Sequence, residues 1–240
     1  MDRRLSATDT SQPTVEETPS RLRDTETKPR PRDAEATRAR ILQAAYDAFA
    51  SKGLAGARVD EIAEAADINK RMIYVYFGNK EQLFLTVLEE AYADMRAHER
   101  ALKLTDLAPR AALEKLVTFT WTYYLAHPGF LRLLNSENLH QARHVKASRK
   151  IREMHFPFVE MAHDILAKGA ASGEFRPGVD PAQLQINISA LGYYYLTNRY
   201  TASVVYNTDL GAPAALEKRH AVILDTILRY VLADPKTQLG

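Results

Sequence analysis

Between residues 55 and 83 the chain reads Ala-Gly-Ala-Arg-Val-Asp-Glu-Ile-Ala-Glu-Ala-Ala-Asp-Ile-Asn-Lys-Arg-Met-Ile-Tyr-Val-Tyr-Phe-Gly-Asn-Lys-Glu-Gln-Leu. Caps and apolar positions alternate here at spacings that leave few folds open. Ile62, Ala63 and Ala66 form the inner face of one short helix. Ile68 sits in the turn that follows, pointing inward. Asn69 suits the N-cap of a second short helix, because its side chain can satisfy an orphan amide. Ile73 and Phe77 then face inward at i, i+4. Asn79-Lys80-Glu81-Gln82 reads as a capping box that opens a third helix.

Two short helices joined by a tight turn make a helix-turn-helix, whose second helix enters the major groove of DNA. The second helix here would present Lys70, Arg71 and Tyr74 outward at its start, with Tyr76 further along and Lys80 just beyond. Arg and Lys can donate to guanine acceptors, and all of these groups can bond phosphate. The N-terminus of the third helix, beside Lys80, is a further phosphate-binding position. Tyr76 has a second reading as a core ring with a wet hydroxyl.

Bulk charge contributes little to this reading. The 240 residues carry 32 Lys and Arg against 30 Asp and Glu, so attraction to DNA must come from local clustering. Residues 69–80 hold three cations and no acid, a small basic face on a balanced chain. There is no cysteine, which excludes a disulfide framework and thiolate metal sites. No run of about 18 apolar residues is present, and the N-terminus lacks the apolar stretch of a secretory signal. A cytoplasmic protein without a membrane span is expected.

Residues 1–33 are rich in Thr, Ser, Pro and balanced charge, with Leu5, Val15 and Leu22 as their large aliphatics, so a disordered tail is expected. The rest reads as all-α, about nine helices in two modules: a three-helix head over 34–80 and a helical bundle over 81–240. Asp33 is the expected N-cap of the first helix and Lys52-Gly53 its stop. A helix over about 80–102 would touch both modules and serve as a lever. His127-Pro128 ends one later helix, and a longer one closes near Gly173. The last two helices, about 181–203 and 213–233, start at Asp180-Pro181-Ala182-Gln183 and at Pro213.

The stretches Thr37–Ala45, Phe49-Ala50-Ser51-Lys52-Gly53, Val59-Asp60-Glu61-Ile62-Ala63 and Ile73–Leu83 together resemble the N-terminal domain of the tetracycline-repressor (TetR) family of bacterial transcription regulators. The resemblance covers about 47 residues, and caps, core positions and spacing agree in it. Three positions depart from the family pattern. Arg58 stands where the family usually has a capping Ser or Thr just before Val59, Asp67 replaces the turn glycine, and Arg71 replaces a small residue. By resemblance, Arg58, Val59, Asn69, Lys70, Arg71, Tyr74, Tyr76 and Lys80 make up the DNA-binding set.

The resemblance also implies a C-terminal module that binds a small effector and pairs as a two-fold dimer. Wide apolar faces on the last two helices place that pairing there, as a four-helix interface. Aromatic and amide residues at interior spacing are the effector candidates: Trp121, Tyr124, Phe158, Tyr194, Tyr195 and Asn198. Glu137, His140 and His144, at i, i+3, i+7, form a conceivable metal face. Seven histidines make chance spacing the better account, so no metal or cofactor is expected. No catalytic set stands out, and an enzyme is not expected. The reading is therefore a dimeric repressor that leaves a palindromic operator when a small molecule binds. The alternative is a helical ligand-binding or scaffold protein with a vestigial DNA-binding head.

Overall fold

A computed structural model of the chain describes residues 31–234, so the tail expected over 1–33 falls almost wholly outside the described residues. Ten α-helices and one 3₁₀ turn fill the described part. They are α1 (Pro31–Gly56), α2 (Val59–Ala65), α3 (Lys70–Phe77), α4 (Lys80–Arg100), the 3₁₀ turn Leu104–Asp106, α5 (Pro109–Ala126), α6 (Pro128–Leu139), α7 (Arg143–Ala147), α8 (Arg149–Ala171), α9 (Pro181–Val205) and α10 (Pro213–Val231). The tenth helix is the five-residue α7, too short to show a period in sequence. Among the described residues there is no strand, only an isolated bridge between Phe175 and Leu232.

The apolar stripes of all the longer helices merge into one core. In the head, Ile41, Ala45 and Phe49 of α1 meet Ile62, Ile73 and Phe77. The core continues through Phe84 and Leu88 of α4 into the body, where α5 packs on α8, α9 and α10. The cap of α9 forms as sequence predicts, and α8 has one that sequence did not indicate. The Asp180 carboxylate accepts the Ala182 and Gln183 amides at 2.7 and 3.2 Å. Ser148 caps α8, accepting the Ile151 amide at 3.1 Å. One expected cap is displaced: α1 begins at Pro31, so Asp33 lies in the first turn instead of before it.

The stop at Lys52-Gly53 is a break rather than an end. Gly53 takes φ 68° and ψ 176°, and helical turns resume beyond it to Gly56. Those torsions are open almost only to glycine and interrupt the ladder between Ala50 and Leu54. Two side chains one turn apart on α6 fill the gap. Arg132 Nε donates to the Ala50 carbonyl at 2.8 Å, and Ser136 Oγ accepts the Leu54 amide at 3.2 Å. The head is thus bonded directly to α6, and α4 is one of two connections between the modules.

A second buried polar arrangement lies deeper in the body. Arg96 Nη1 and Glu99 Oε2 of α4 are 2.6 Å apart, with side chains 9% and 3% exposed. The Arg96 guanidinium rests 3.9 Å over the Phe158 ring of α8. Burial pushes the Glu99 carboxyl up to about 7, against the opposing pull of Arg96. A carboxyl raised in the folded state contributes stability that is complete below its unfolded pKa, about 4.3, and is lost as pH rises through 7.

Two outcomes follow. Gly53→Ala is expected to cost about 1–3 kcal/mol, seen in denaturant melts, since the alanine must hold a glycine-only conformation. Glu99→Gln is expected to raise Tm at pH 8 by roughly 2 °C or more and to leave it nearly unchanged at pH 5. Equal shifts at both pH values would contradict the placement of a neutral Glu99 in the folded chain at low pH.

Candidate nucleic-acid interface

The turn between α2 and α3 is built as a helix-turn-helix requires. Asp67 sits at φ 51°, the left-handed conformation expected where the sequence has lost a glycine. Asn69 Oδ1 accepts the Arg71 amide at 2.8 Å and so caps α3. Ile73 and Phe77 are buried, Ile68 is partly buried against the same core, and the opposite face of α3 is open.

On that open face the predicted residues separate into three groups. Arg71 is exposed, and its side chain has no hydrogen-bond or ion-pair partner among the described residues. Tyr74 is 44% exposed on the same open face. Lys70, in contrast, is already engaged: its Nζ lies 2.7 Å from Asp60 Oδ1 of α2. That hydrogen bond holds the Asp60 carboxyl below the usual carboxylate range and Lys70 above the usual lysine range. The count of cations in 69–80 missed this acid, because Asp60 reaches Lys70 only through the turn.

The other positions are structural in part. Arg58 is exposed at the start of α2 and makes no side-chain cap, as an arginine must. Val59 and Tyr76 are half-buried against the core, so the core reading of the Tyr76 ring holds in this structure. Asn79 Oδ1 caps α4 through the Gln82 amide at 2.8 Å, but its own amide bonds the Phe77 carbonyl at 2.9 Å, so the reciprocal half of the capping box is absent. Lys80 Nζ lies 3.4 Å from the Ala55 carbonyl, at the α1 break. Val75, 68% exposed on the same side of α3 as Arg71, was not singled out in sequence. An apolar residue on the outward face, four positions from Arg71, was the available signal; such a group suits a thymine methyl.

The effector candidates do not gather at one place. Trp121 and Tyr124 of α5 and Phe158 of α8 are buried. The Trp121 and Tyr195 rings meet edge-on at 6.0 Å, and the Tyr195 hydroxyl donates to the Leu210 carbonyl at 3.1 Å. Phe158 is covered by Arg96. Asn198 spends its amide on the Tyr194 carbonyl and Thr197 Oγ1, at 3.0 and 3.1 Å. Tyr194 is 64% exposed on the outer side of α9, so it lines no interior space of this chain. Adjacent helical residues diverge by about 100°, which sends Tyr194 and Tyr195 to different sides.

The conceivable metal face is accounted for without a metal. Glu137 accepts His144 Nδ1–H at 2.7 Å and the His144 and Val145 amides at 2.8 and 2.9 Å. His140 Nδ1 bonds the Ser136 carbonyl at 2.7 Å. The pair of Glu137 and His144 joins α6 to α7, and the His144 ring abuts Phe84 of α4 edge-on at 5.1 Å. No group of three or more potential ligands occurs among the described residues.

Comparison with known proteins matches both halves. Residues 41–87 fit the family "Bacterial regulatory proteins, tetR family", and residues 109–227 fit "Tetracyclin repressor-like, C-terminal domain". The chain is 38% identical over 200 residues to the HTH-type transcriptional repressor NicS of Pseudomonas putida, covering 83% of this chain and 94% of that protein. It is 43% identical over 108 residues to the HTH-type transcriptional repressor SCO4008 of Streptomyces coelicolor, 45% of this chain and 53% of the other. The solved structure of SCO4942 from Streptomyces coelicolor superposes with a TM-score of 0.61 at 25% identity, covering 81% of this chain and 98% of that one.

Asp60→Asn should free Lys70 and strengthen duplex binding severalfold at low salt, read by fluorescence anisotropy, with a salt slope steeper by about one. The gain should vanish when Lys70→Ala is added. A gain that persists without Lys70 would mean that Asp60 acts on phosphate directly and does not restrain the lysine.

Proposed function

The chain belongs to the tetracycline-repressor family of DNA-binding transcription regulators, and from that premise we propose that it is a homodimeric repressor which leaves a palindromic operator when a small molecule binds its body. The observation that carries this reading is α3 itself. Its inner face is sealed by Ile73 and Phe77, while Arg71, Tyr74 and Val75 stand outward with no partner among the described residues that would explain them. A solvated helix has no need of an exposed valine beside an exposed tyrosine, whereas a groove-reading helix has.

The roles divide by position. Residues 34–80 form the reading head and residues 81–240 the effector-binding and dimerisation body. Arg71, Tyr74 and Val75 address base edges, and Lys70 joins them once Asp60 releases it. Arg58, Lys80 and the N-terminus of α4 face phosphate, which positions the head without reading sequence. Asn69 acts through the cap that sets the α3 start.

The dimer face is proposed on α9 and α10. The C-terminal half of α9 exposes Tyr194, Tyr200, Val204 and Val205, with Tyr206 after it, and α10 adds Val222 at 43% exposure. Exposed large apolar residues gathered on two neighbouring helices in this way favour an association site. Pairing it with its own copy is isologous and sets two reading heads about one helical turn of DNA apart.

The test joins the two claims. The full chain should bind a duplex selected from a random pool tightly and with steep salt dependence, and Tyr74→Ala should lose at least tenfold. Val204→Glu should convert the dimer to monomer by sedimentation and weaken duplex binding, with far-ultraviolet circular dichroism unchanged. A dimeric chain that binds ligand but selects no duplex would support the vestigial-head alternative.

A further inference from the structure

A cleft of 240 Å³ lies between α5, α6 and α9. Leu125, Leu131, Leu196 and the ring of Tyr124 form its apolar wall, and Arg132 and Arg199 enter it from α6 and α9. No carboxylate lines it. Two arginines thus line one small space with no acid among the lining residues to compensate them. At Tyr200, on the rim, the hydrogen bond and charge of Arg199, with a smaller contribution from Arg132, hold the phenol below the usual tyrosine range.

Each guanidinium keeps most of its donors. Arg199 Nη2 donates to the Tyr200 hydroxyl at 2.8 Å, and Arg132 Nε donates to the Ala50 carbonyl at 2.8 Å. An arginine has five N–H groups, so each has donors left for a ligand. Arginine forks match the two oxygens of a carboxylate. A dry cavity of roughly 150 Å³ accepts benzene, so this volume suits one ring with a carboxylate attached.

We propose that this cleft binds a small organic monoanion, a carboxylate on a flat apolar body, held between Arg132 and Arg199. The proposal rests on the regulator reading above and names the effector class for it. Its consequence runs through Arg132. The same guanidinium bonds the Ala50 carbonyl at the α1 break, a neutral acceptor. A charge-assisted bond to carboxylate is about twice as strong. An anion in the cleft draws Arg132 away from Ala50 and loosens the seam that orients the head. Binding energy at the body thereby biases the reading heads, as linkage requires.

The test uses the full chain with benzoate as probe and benzamide as its neutral counterpart of the same shape, in titration calorimetry. Benzoate should bind, and benzamide should bind at least about tenfold more weakly, the difference expected for a bond to a charged partner. Arg199→Gln should lose about tenfold for benzoate and nothing further for benzamide. Arg199→Lys, which keeps the charge but not the fork, should fall between and covers the case in which Arg199→Gln does not fold. In parallel anisotropy, benzoate should release the selected duplex from wild type, while Arg132→Gln, which lacks the Ala50 bond from the start, should bind the duplex as weakly as benzoate-loaded wild type and respond no further to benzoate. Absence of benzoate binding at millimolar concentration, equal binding of benzamide, or an unchanged affinity in both Arg199 variants would overturn the site. Loss of all duplex selection in wild type would overturn the regulator reading instead, and the calorimetry would still decide the cleft.

Discussion

The arrangement of the two modules depends on a break of one residue in the first helix. At Gly53 the backbone leaves the helical region, and Ala50 and Leu54 lose each other as partners. A buried backbone group without a partner costs about as much as a lost hydrogen bond, so the break persists only where something replaces the missing bond. Arg132 and Ser136, one turn apart on α6, take the carbonyl and the amide respectively. The repair comes from the body of the protein, not from the head. It is therefore also the fastening between them, and any force on α6 is felt at the base of α1.

Apolar packing reinforces this fastening on the other side. Phe49 of α1 meets Phe84 of α4 edge-on at 5.1 Å, and Phe84 in turn meets His144. The Glu137 carboxylate fixes His144 and the start of α7, so a charged group that might have suggested a metal is instead part of the wall behind the head. Exposed ion pairs complete the contact, with Arg143 Nη2 3.1 Å from Glu81 and Lys150 Nζ 3.4 Å from Glu90. Exposed pairs contribute little stability each. Their value here is orientation, since both tie α7 and α8 to the first half of α4.

Electrostatics of the head follow from the same closeness. A chain with net charge +2 cannot rely on bulk attraction to DNA. Two of the three acids on α2 lie against lysines of neighbouring helices, Asp60 on Lys70 and Glu61 on Lys52, each at 2.7 Å. Only part of the basic face is therefore free in the unbound protein. Arg71, with no such partner among the described residues, leaves its charge open at the start of α3. On the proposed role, Lys70 exchanges Asp60 for phosphate, which makes its contribution conditional and sensitive to salt.

Much of this was legible in the chain. The caps Asn69, Asn79 and Asp180, the proline starts of α9 and α10, the left-handed Asp67 and the inward set Ile62, Ile73 and Phe77 are local events, decided by residues within about one helical turn of each other. Sequence by itself therefore determined the longer helices, the starts of α3, α4, α9 and α10 and the outward face of α3, but not α7, the start of α1 or the continuation of α1 past Gly53. Contacts distant along the chain were not legible, because no periodicity records which helix a side chain will meet. Tertiary structure alone decided that Arg132 would reach Ala50 across 82 positions, that Tyr194 would face outward while Tyr195 closed on Trp121, and that Glu137 and His144 would form a wall and not a metal site. Local bonds follow from backbone geometry, which spacing encodes. The joining of the two modules follows from three-dimensional packing, which spacing does not encode.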